Sequence, residues 1–264
     1  MFSVLSPAKK LDLTPLSSNQ RDDLACTTPA LTDDLKELLE ITRELGPKDL
    51  AKLMKLSEPL AQLNYDRFQT FSFPFNHTNS KPAILAFNGD TYQGFEASTL
   101  PLDSLKAAQN QVGILSGLYG LLRPLDLIQP YRLEMGTRLK NKRGSNLYQF
   151  WGNRIADFVN DHIENTNAGT LINLASNEYF KALPLQVINV PIITPVFKEI
   201  RNGQPPKVIS FCAKRARGMM ARYIVQNNLT NPEELKGFNT TGYDFQESLS
   251  SDQEWIFTRE LNQA

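Results

Sequence analysis

Residues 113–136 read GILSGLYGLLRPLDLIQPYRLEMG. Apolar residues flank a glycine turn, Gly117-Leu118-Tyr119-Gly120, and Arg123, Asp126, Arg132 and Glu134 then alternate with Pro124, Pro130 and Tyr131. A solvated loop has no need of so many leucines, and a plain core has no need of four charges. Removing charges from water is costly unless they are paired. The stretch is therefore either a buried ion-pair scaffold or the wall of a site, and the residues alone leave both open.

Toward the N-terminus, Phe2–Leu5 is a short apolar run ended by Ser6-Pro7, which predicts a buried first strand with Ala8, Lys9 and Lys10 at its exit. Residues 14–30 read as a surface loop. Leu31–Leu45 carries an apolar stripe at helical spacing, acids early and Arg43 late, and Gly46-Pro47 ends that helix and starts the next. Ala83–Phe87 reads as a short strand that runs into a shaped turn, Asn88–Phe95, with glycines on either side of Asp90 and Tyr92. Leu102–Gln111 is a helix.

Toward the C-terminus, residues 138–143, RLKNKR, form a basic loop, and Leu147–Asn165 reads as one long helix. Thr170–Ala175 predicts a buried strand leaving into Ser176-Asn177-Glu178-Tyr179. Pro191 and Pro195 confine the extended run Val187–Phe197 to a sheet edge, with Val208–Cys212 as its partner. In the helix Lys214–Asn227, Lys214, Arg215 and Arg222 share one arc with Arg217 on its flank, opposite Ala216, Met220 and Ile224. No acid interrupts this stripe between Lys207 and Asn231, which suits a polyanion. Trp255–Thr258 is a last strand. Helices and strands mix from end to end, which predicts α+β: one mixed α/β domain over residues 1–264 with a central sheet.

The chain has 264 residues, 41% hydrophobic and 21% charged, with equal numbers of acids and bases. A zero net charge excludes a histone-like polycation but leaves room for a local basic groove. Neither an export signal nor an apolar run of about 18 residues is present, so a cytoplasmic chain that spans no membrane is expected, with Cys26 and Cys212 reduced. His77 and His162 are the only histidines, and no Cys or His has a partner at ligand spacing. No zinc or iron–sulfur site and no other cofactor is expected, nor a His-based nucleophile triad.

Several blocks together resemble the YaaA peroxide-stress-resistance family of bacteria. They are Leu5-Ser6-Pro7-Ala8-Lys9, Gly89-Asp90-Thr91-Tyr92-Gln93-Gly94, Leu115 through Gly136, Leu147-Tyr148-Gln149-Phe150-Trp151-Gly152, Ile172-Asn173-Leu174-Ala175-Ser176, and Ile209-Ser210-Phe211 through Arg222. Departures are Asn88, where the family pattern has a lysine, and Cys212, where it has an aromatic residue. The resemblance implies a cytosolic protein that protects against hydrogen peroxide and iron-linked damage. It further implies binding of duplex or branched DNA through a basic cleft, and a mixed fold containing a helix-hairpin-helix element. Helix 102–111, the turn Gly117–Gly120 and Arg123 are the candidates for that element, whose backbone N–H groups would meet a phosphate.

Two function classes follow. The first is DNA binding without sequence readout, with contacts at Gly117, Gly120, Arg123, Arg138, Lys140, Lys142, Arg143, Lys214, Arg215, Arg217 and Arg222. The second is an enzyme acting on a nucleobase or nucleotide, in which Lys9, Asp90, Tyr92, Asn173, Ser176 and Glu178, with Tyr179, meet at one end of the sheet. A third class, iron held by carboxylates alone, has the least support because Cys and His are so few. The residues name no protein partner.

Overall fold

A computed structural model describes residues 1–18 and 23–261. Phe2–Leu5 forms β1, buried at every position as expected of a strand covered on both faces. It pairs in parallel with β3 (Val112–Ser116) on one side and with β6 (Leu171–Leu174) on the other. Beyond β6 come β7 (Ile192–Ile200) and β9 (Glu254–Glu260), also parallel. Antiparallel edges close the seven-stranded sheet: β4 (Gly120–Leu122) beside β3, and β8 (Asp244–Phe245) beside β9. A separate two-stranded ribbon joins β2 (Lys81–Pro82) to β5 (Leu127–Ile128).

The chain leaves β1 for β3 on one side and later returns to β6 on the other. Strand order reverses there, which opens a crevice beyond the carboxyl ends of the strands, where ligands of open α/β sheets bind. The β1 exit, Ser6–Lys10, and the β6 exit, Ala175–Tyr179, both lie at that end.

Helices α1 (Thr32–Glu44) and α2 (Pro47–Met54) follow the expected pattern closely, and α3 (Glu58–Thr70) comes after them. Short helices α4 (Ala83–Ala86) and α5 (Asp90–Phe95) precede α6 (Leu102–Gln111). Then come α7 (Leu147–Trp151), α8 (Arg154–Thr166), α9 (Asn177–Phe180) and the long α10 (Ser210–Gln226). Buried apolar side chains form one cluster that runs through sheet and helices. Among the described residues no helix is long and apolar enough to cross a membrane.

α10 lies across β1, β6 and β7 and makes its densest contact with α5. The two helices meet at glycines. A Cβ on Gly218 would lie 1.7 Å from the Thr91 carbonyl oxygen, and one on Gly94 would lie 2.0 Å from that of Arg215. Only hydrogen fits at either place, so the two backbones touch.

Several expectations need correction. Ala83–Phe87 is a helical turn rather than a strand, because the Ala83 and Ile84 N–H groups bond to Asp126 and Pro124 carbonyls instead of a sheet neighbour. The shaped turn Asn88–Phe95 is mostly helix α5. The single helix expected over 147–165 is split, since Gly152 adopts a left-handed φ of +50° between α7 and α8. β7 is interior rather than an edge. Its Thr194 N–H donates toward β9, so Pro195 lacks a donor on the opposite side, where pairing with β6 ends at Ile193. Val208–Cys212 is no strand either: only Lys207 bridges Glu199, and α10 begins at Ser210. Residues 19–22 of the expected surface loop lie outside the described residues.

Two buried carboxylates brace this frame. Asp126, 1% exposed, accepts from the Arg123 backbone N–H at 2.7 Å, Arg123 Nη2 at 3.0 Å and Thr27 Oγ1 at 2.5 Å. Burial still holds its carboxyl above the ordinary carboxylate value, with those donors opposing the shift. Glu199 on β7 accepts from Arg259 Nε at 2.7 Å and from the Tyr243 hydroxyl, tying β7 to β9 and to the segment before β8.

Two stability outcomes follow. Gly218→Ala, which in an open helix would stabilise by about 1 kcal/mol, is expected here to destabilise by about 3 kcal/mol or more, because the clash is with backbone. Denaturant titration showing an unchanged or higher midpoint would contradict the close crossing. Glu199→Ala is expected to cost about 3 kcal/mol, since it strands the Arg259 guanidinium, and thermal melting measures the loss.

Candidate functional site

The crevice is stitched together by Ser6. Its hydroxyl accepts from the Ser176 N–H at 2.8 Å and donates to Ser176 Oγ at 3.2 Å, while its carbonyl accepts from the Tyr92 hydroxyl at 3.0 Å. One small residue after β1 thus joins the β6 exit to α5. A cavity of about 840 Å³ opens beside it. Residues 6–10, 88–93, 131–134, 176–179 and, from α10, Lys214 and Arg217 line it.

Residues 131–134 form the second wall. Glu134 is clamped between Lys9 Nζ at 2.9 Å and Arg132 Nη2 at 3.1 Å, which neutralises its charge. Glu178 accepts from the Gly136 N–H at 2.9 Å, and its carbonyl accepts from the Tyr148 hydroxyl at 2.9 Å. The opening stretch of the sequence therefore divides. Asp126 with Arg123 is an internal brace, whereas Tyr131, Arg132 and Glu134 are cavity wall.

Three phenols, Tyr92, Tyr131 and Tyr179, sit deep in the cavity, each less than one-tenth exposed. Burial pushes all three above the ordinary phenol value, and for Tyr92 and Tyr179 the neighbouring phenols add to the shift. They remain neutral at physiological pH and act as hydrogen-bond donors rather than bases. Tyr131 is further held by Ser116 Oγ, 2.6 Å from its hydroxyl.

Among the described residues the side chains of Asp90, Lys214 and Arg217 have no hydrogen-bond or ion-pair partner. Burial with no compensating acid pulls the Arg217 guanidinium below its ordinary value. The cavity thus offers a free carboxylate, three free cations (Lys10, Lys214 and Arg217) and protonated phenols around a wall of neutralised charge.

Of the residues singled out for chemistry, Lys9, Asp90, Tyr92, Ser176, Glu178 and Tyr179 meet in this cavity. Asn173 does not. It is buried within β6, donating to Thr194 Oγ1 at 3.3 Å and accepting from the Ala175 N–H at 3.0 Å, so it shapes the strand end.

The cations singled out for DNA separate into two groups. Lys214, Arg215, Arg138, Lys140 and Lys142 are exposed, and Arg217 is half-buried. Arg215 lines a second cavity of about 570 Å³, with Asp12 and Lys81, that shares Asn88, Tyr92 and Gln93 with the first. The remainder are committed elsewhere. Arg222 donates to the Phe95 and Glu96 carbonyls at 2.9 and 2.8 Å, closing the end of α5. Arg143 is paired with Asp34 and Glu37 and stacks 4.2 Å over the Phe150 ring. Arg123 holds Asp126.

The turn Gly117–Gly120 is a buried β-hairpin between β3 and β4, not the hairpin of a helix pair. Its Leu118 and Tyr119 N–H groups donate to Ser116 Oγ at 3.2 and 3.0 Å, and the Gly117 carbonyl accepts from Trp151 Nε1 at 3.1 Å. A Cβ on Gly117 would lie 2.3 Å from the Leu133 carbonyl oxygen, so this glycine exists to let the cavity wall pack against it. Those N–H groups are spent, and a phosphate has no access to them.

Sequence reasoning missed Ser6 and Lys10 and left Tyr131, Arg132 and Glu134 unassigned. The charges set between prolines over 130–134 carried a signal; a single serine after a strand carried none.

Comparison with known proteins agrees with the motif blocks. The family model described as peroxide stress protein YaaA matches residues 1–249. A UPF0246 protein of Idiomarina loihiensis is 50% identical over 259 residues, covering 98% of both chains. One of Aliivibrio fischeri is 51% identical over 261 residues, with 98% of each chain covered, and one of Burkholderia orbicola 49% over 266 residues at full coverage of both. The chain therefore belongs to the peroxide stress protein YaaA family.

Proposed function

We propose that the chain serves the peroxide-stress response by binding DNA, without sequence readout, at the mouth of the crevice. The observation that carries this reading is the set of uncommitted cations. In a chain of zero net charge, Arg123, Arg143 and Arg222 are spent on internal partners, while Lys214 and Arg217 stay free above the crevice and Arg215 is exposed beside them. The exposed loop with Arg138, Lys140 and Lys142 continues from the cavity wall at Gly136. Phe211, 60% exposed, precedes Lys214 and Arg215 by one turn of α10. An exposed ring among cations suits stacking on an unpaired base, with phosphates held on either side.

Affinity of this kind falls with salt, by about 0.9 per phosphate contact on logarithmic axes. The combined substitution of Lys140, Lys142, Lys214 and Arg215 by alanine is expected to weaken duplex binding and flatten that slope by about 3 to 4. Arg143→Ala is expected to leave the slope unchanged and lower only stability. Fluorescence anisotropy at several salt concentrations reads both, and an unaltered slope in the fourfold variant would overturn this placement.

A second reading, an enzyme acting on a nucleobase or nucleotide, is favoured by one specific observation. Lys9, Asp90, Tyr92, Ser176, Glu178 and Tyr179 converge in a cavity that backbone binding does not need. Asp90, with no partner, is the group placed to take a proton. On this reading, incubation with oligonucleotides and free nucleotides releases a product detectable by mass spectrometry, and Asp90→Asn abolishes it. Absence of product from every substrate with the parent protein would sink the enzyme reading.

A further inference from the structure

We propose that the crevice holds a subsite for a single nucleotide, with its phosphate on Arg217 and Lys214 and its base over the phenols toward Asp90. The inference deepens the reading of the crevice as a nucleic-acid site and rests on it. Three independent features of the cavity point the same way.

The first is charge. Arg217 is half-buried, faces the cavity and has no acid within reach. A desolvated guanidinium without a partner is costly, and the cavity's own carboxylates do not relieve it: Glu134 is already held by Lys9 and Arg132. The missing anion belongs to the ligand. Lys214 stands three residues away on the same helix, so both side chains project from one face. A planar guanidinium beside a point-charge ammonium suits the oxygens of one phosphate group.

The second is size. A cavity of about 840 Å³ lies within the range of small-molecule sites, roughly 300–1,000 Å³. That volume admits a single nucleotide but is far too small for a duplex, which would have to lie across the mouth.

The third is the rest of the lining. The rings of Tyr92, Tyr131 and Tyr179 offer flat apolar surface, and Asp90 offers a free acceptor. A base that carries an exocyclic amino group can donate to that carboxylate. A base presenting carbonyl oxygen there would face a negative charge. The subsite therefore favours the bases with an exocyclic amino group, adenine, cytosine and guanine, over thymine.

Calorimetric titration of the full chain tests this with deoxyadenosine monophosphate, thymidine monophosphate, deoxyadenosine and inorganic phosphate. The adenine nucleotide is expected to bind at least tenfold more tightly than either deoxyadenosine or inorganic phosphate, and more tightly than the thymine nucleotide. Arg217→Gln should lose at least tenfold in nucleotide affinity, Arg217→Lys less, and Asp90→Asn should erase the preference for adenine over thymine. Thermal melts of each variant confirm that it is folded. No binding of either nucleotide, or equal binding by the parent and a folded Arg217→Gln, would overturn the subsite. Duplex binding by the parent is measured in parallel: duplex bound without nucleotide refutes the subsite alone, and neither bound refutes the DNA reading as well.

Discussion

The structure turns on a contact between two backbones. Gly94 of α5 and Gly218 of α10 let the helices approach until carbonyl oxygens occupy the space a side chain would need. That approach seats α10 across β1, β6 and β7 while α5 stands at the exit of β1. It also decides which α10 residues face the crevice. Lys214 and Arg217 overlook the cavity beside Asp90 and Tyr92, and Arg222 is drawn onto the carbonyls that end α5. With any larger residue at either glycine the helices would stand apart, and the free cations would no longer share a wall with the strand exits.

Charge is divided between two tasks. Inside the frame, Asp126, Glu199, Asp34 and Glu37 are matched with Arg123, Arg259 and Arg143. Such pairs fix geometry more than they add stability, because desolvation offsets much of the attraction. In the crevice the matching is incomplete: Glu134 is neutralised, but Lys10, Asp90, Lys214 and Arg217 are left without partners. A frame that satisfies its charges elsewhere and leaves four open around one cavity has the charge pattern that the proposed ligand, with an anionic and a donor end, would need.

Much of this was legible in the residues. Strong periodicity placed α1, α6 and α10 and the apolar runs β1 and β6. The strand-exit residues Lys9, Ser176 and Glu178 could be named because polar groups directly after buried strands have few structural uses, whereas Asp90 follows an expected strand, Ala83–Phe87, that is in fact a helical turn. Failure came where tertiary contacts overrode local pattern. The glycines at 117 and 120 resembled a phosphate loop, but their close approach serves the Leu133 carbonyl and the Trp151 ring. Arg143 and Arg222 sat in basic clusters, yet acids and carbonyls more than a hundred residues distant claim them. Pro195 argued for an edge, and only the early end of β6 pairing lets it sit inside the sheet. Nothing in a linear pattern shows which cations have partners far along the chain, and at this site that distinction separates brace from free cation.

Five segments distant in sequence line one crevice, which is proposed to bind nucleic acid. Hydrogen–deuterium exchange with and without a short single-stranded oligonucleotide tests it most directly. Slowed exchange is predicted together at residues 6–10, 90–93, 132–134, 176–179 and 214–217. Slowing confined to residues 113–123, with those five segments unchanged, would contradict the account.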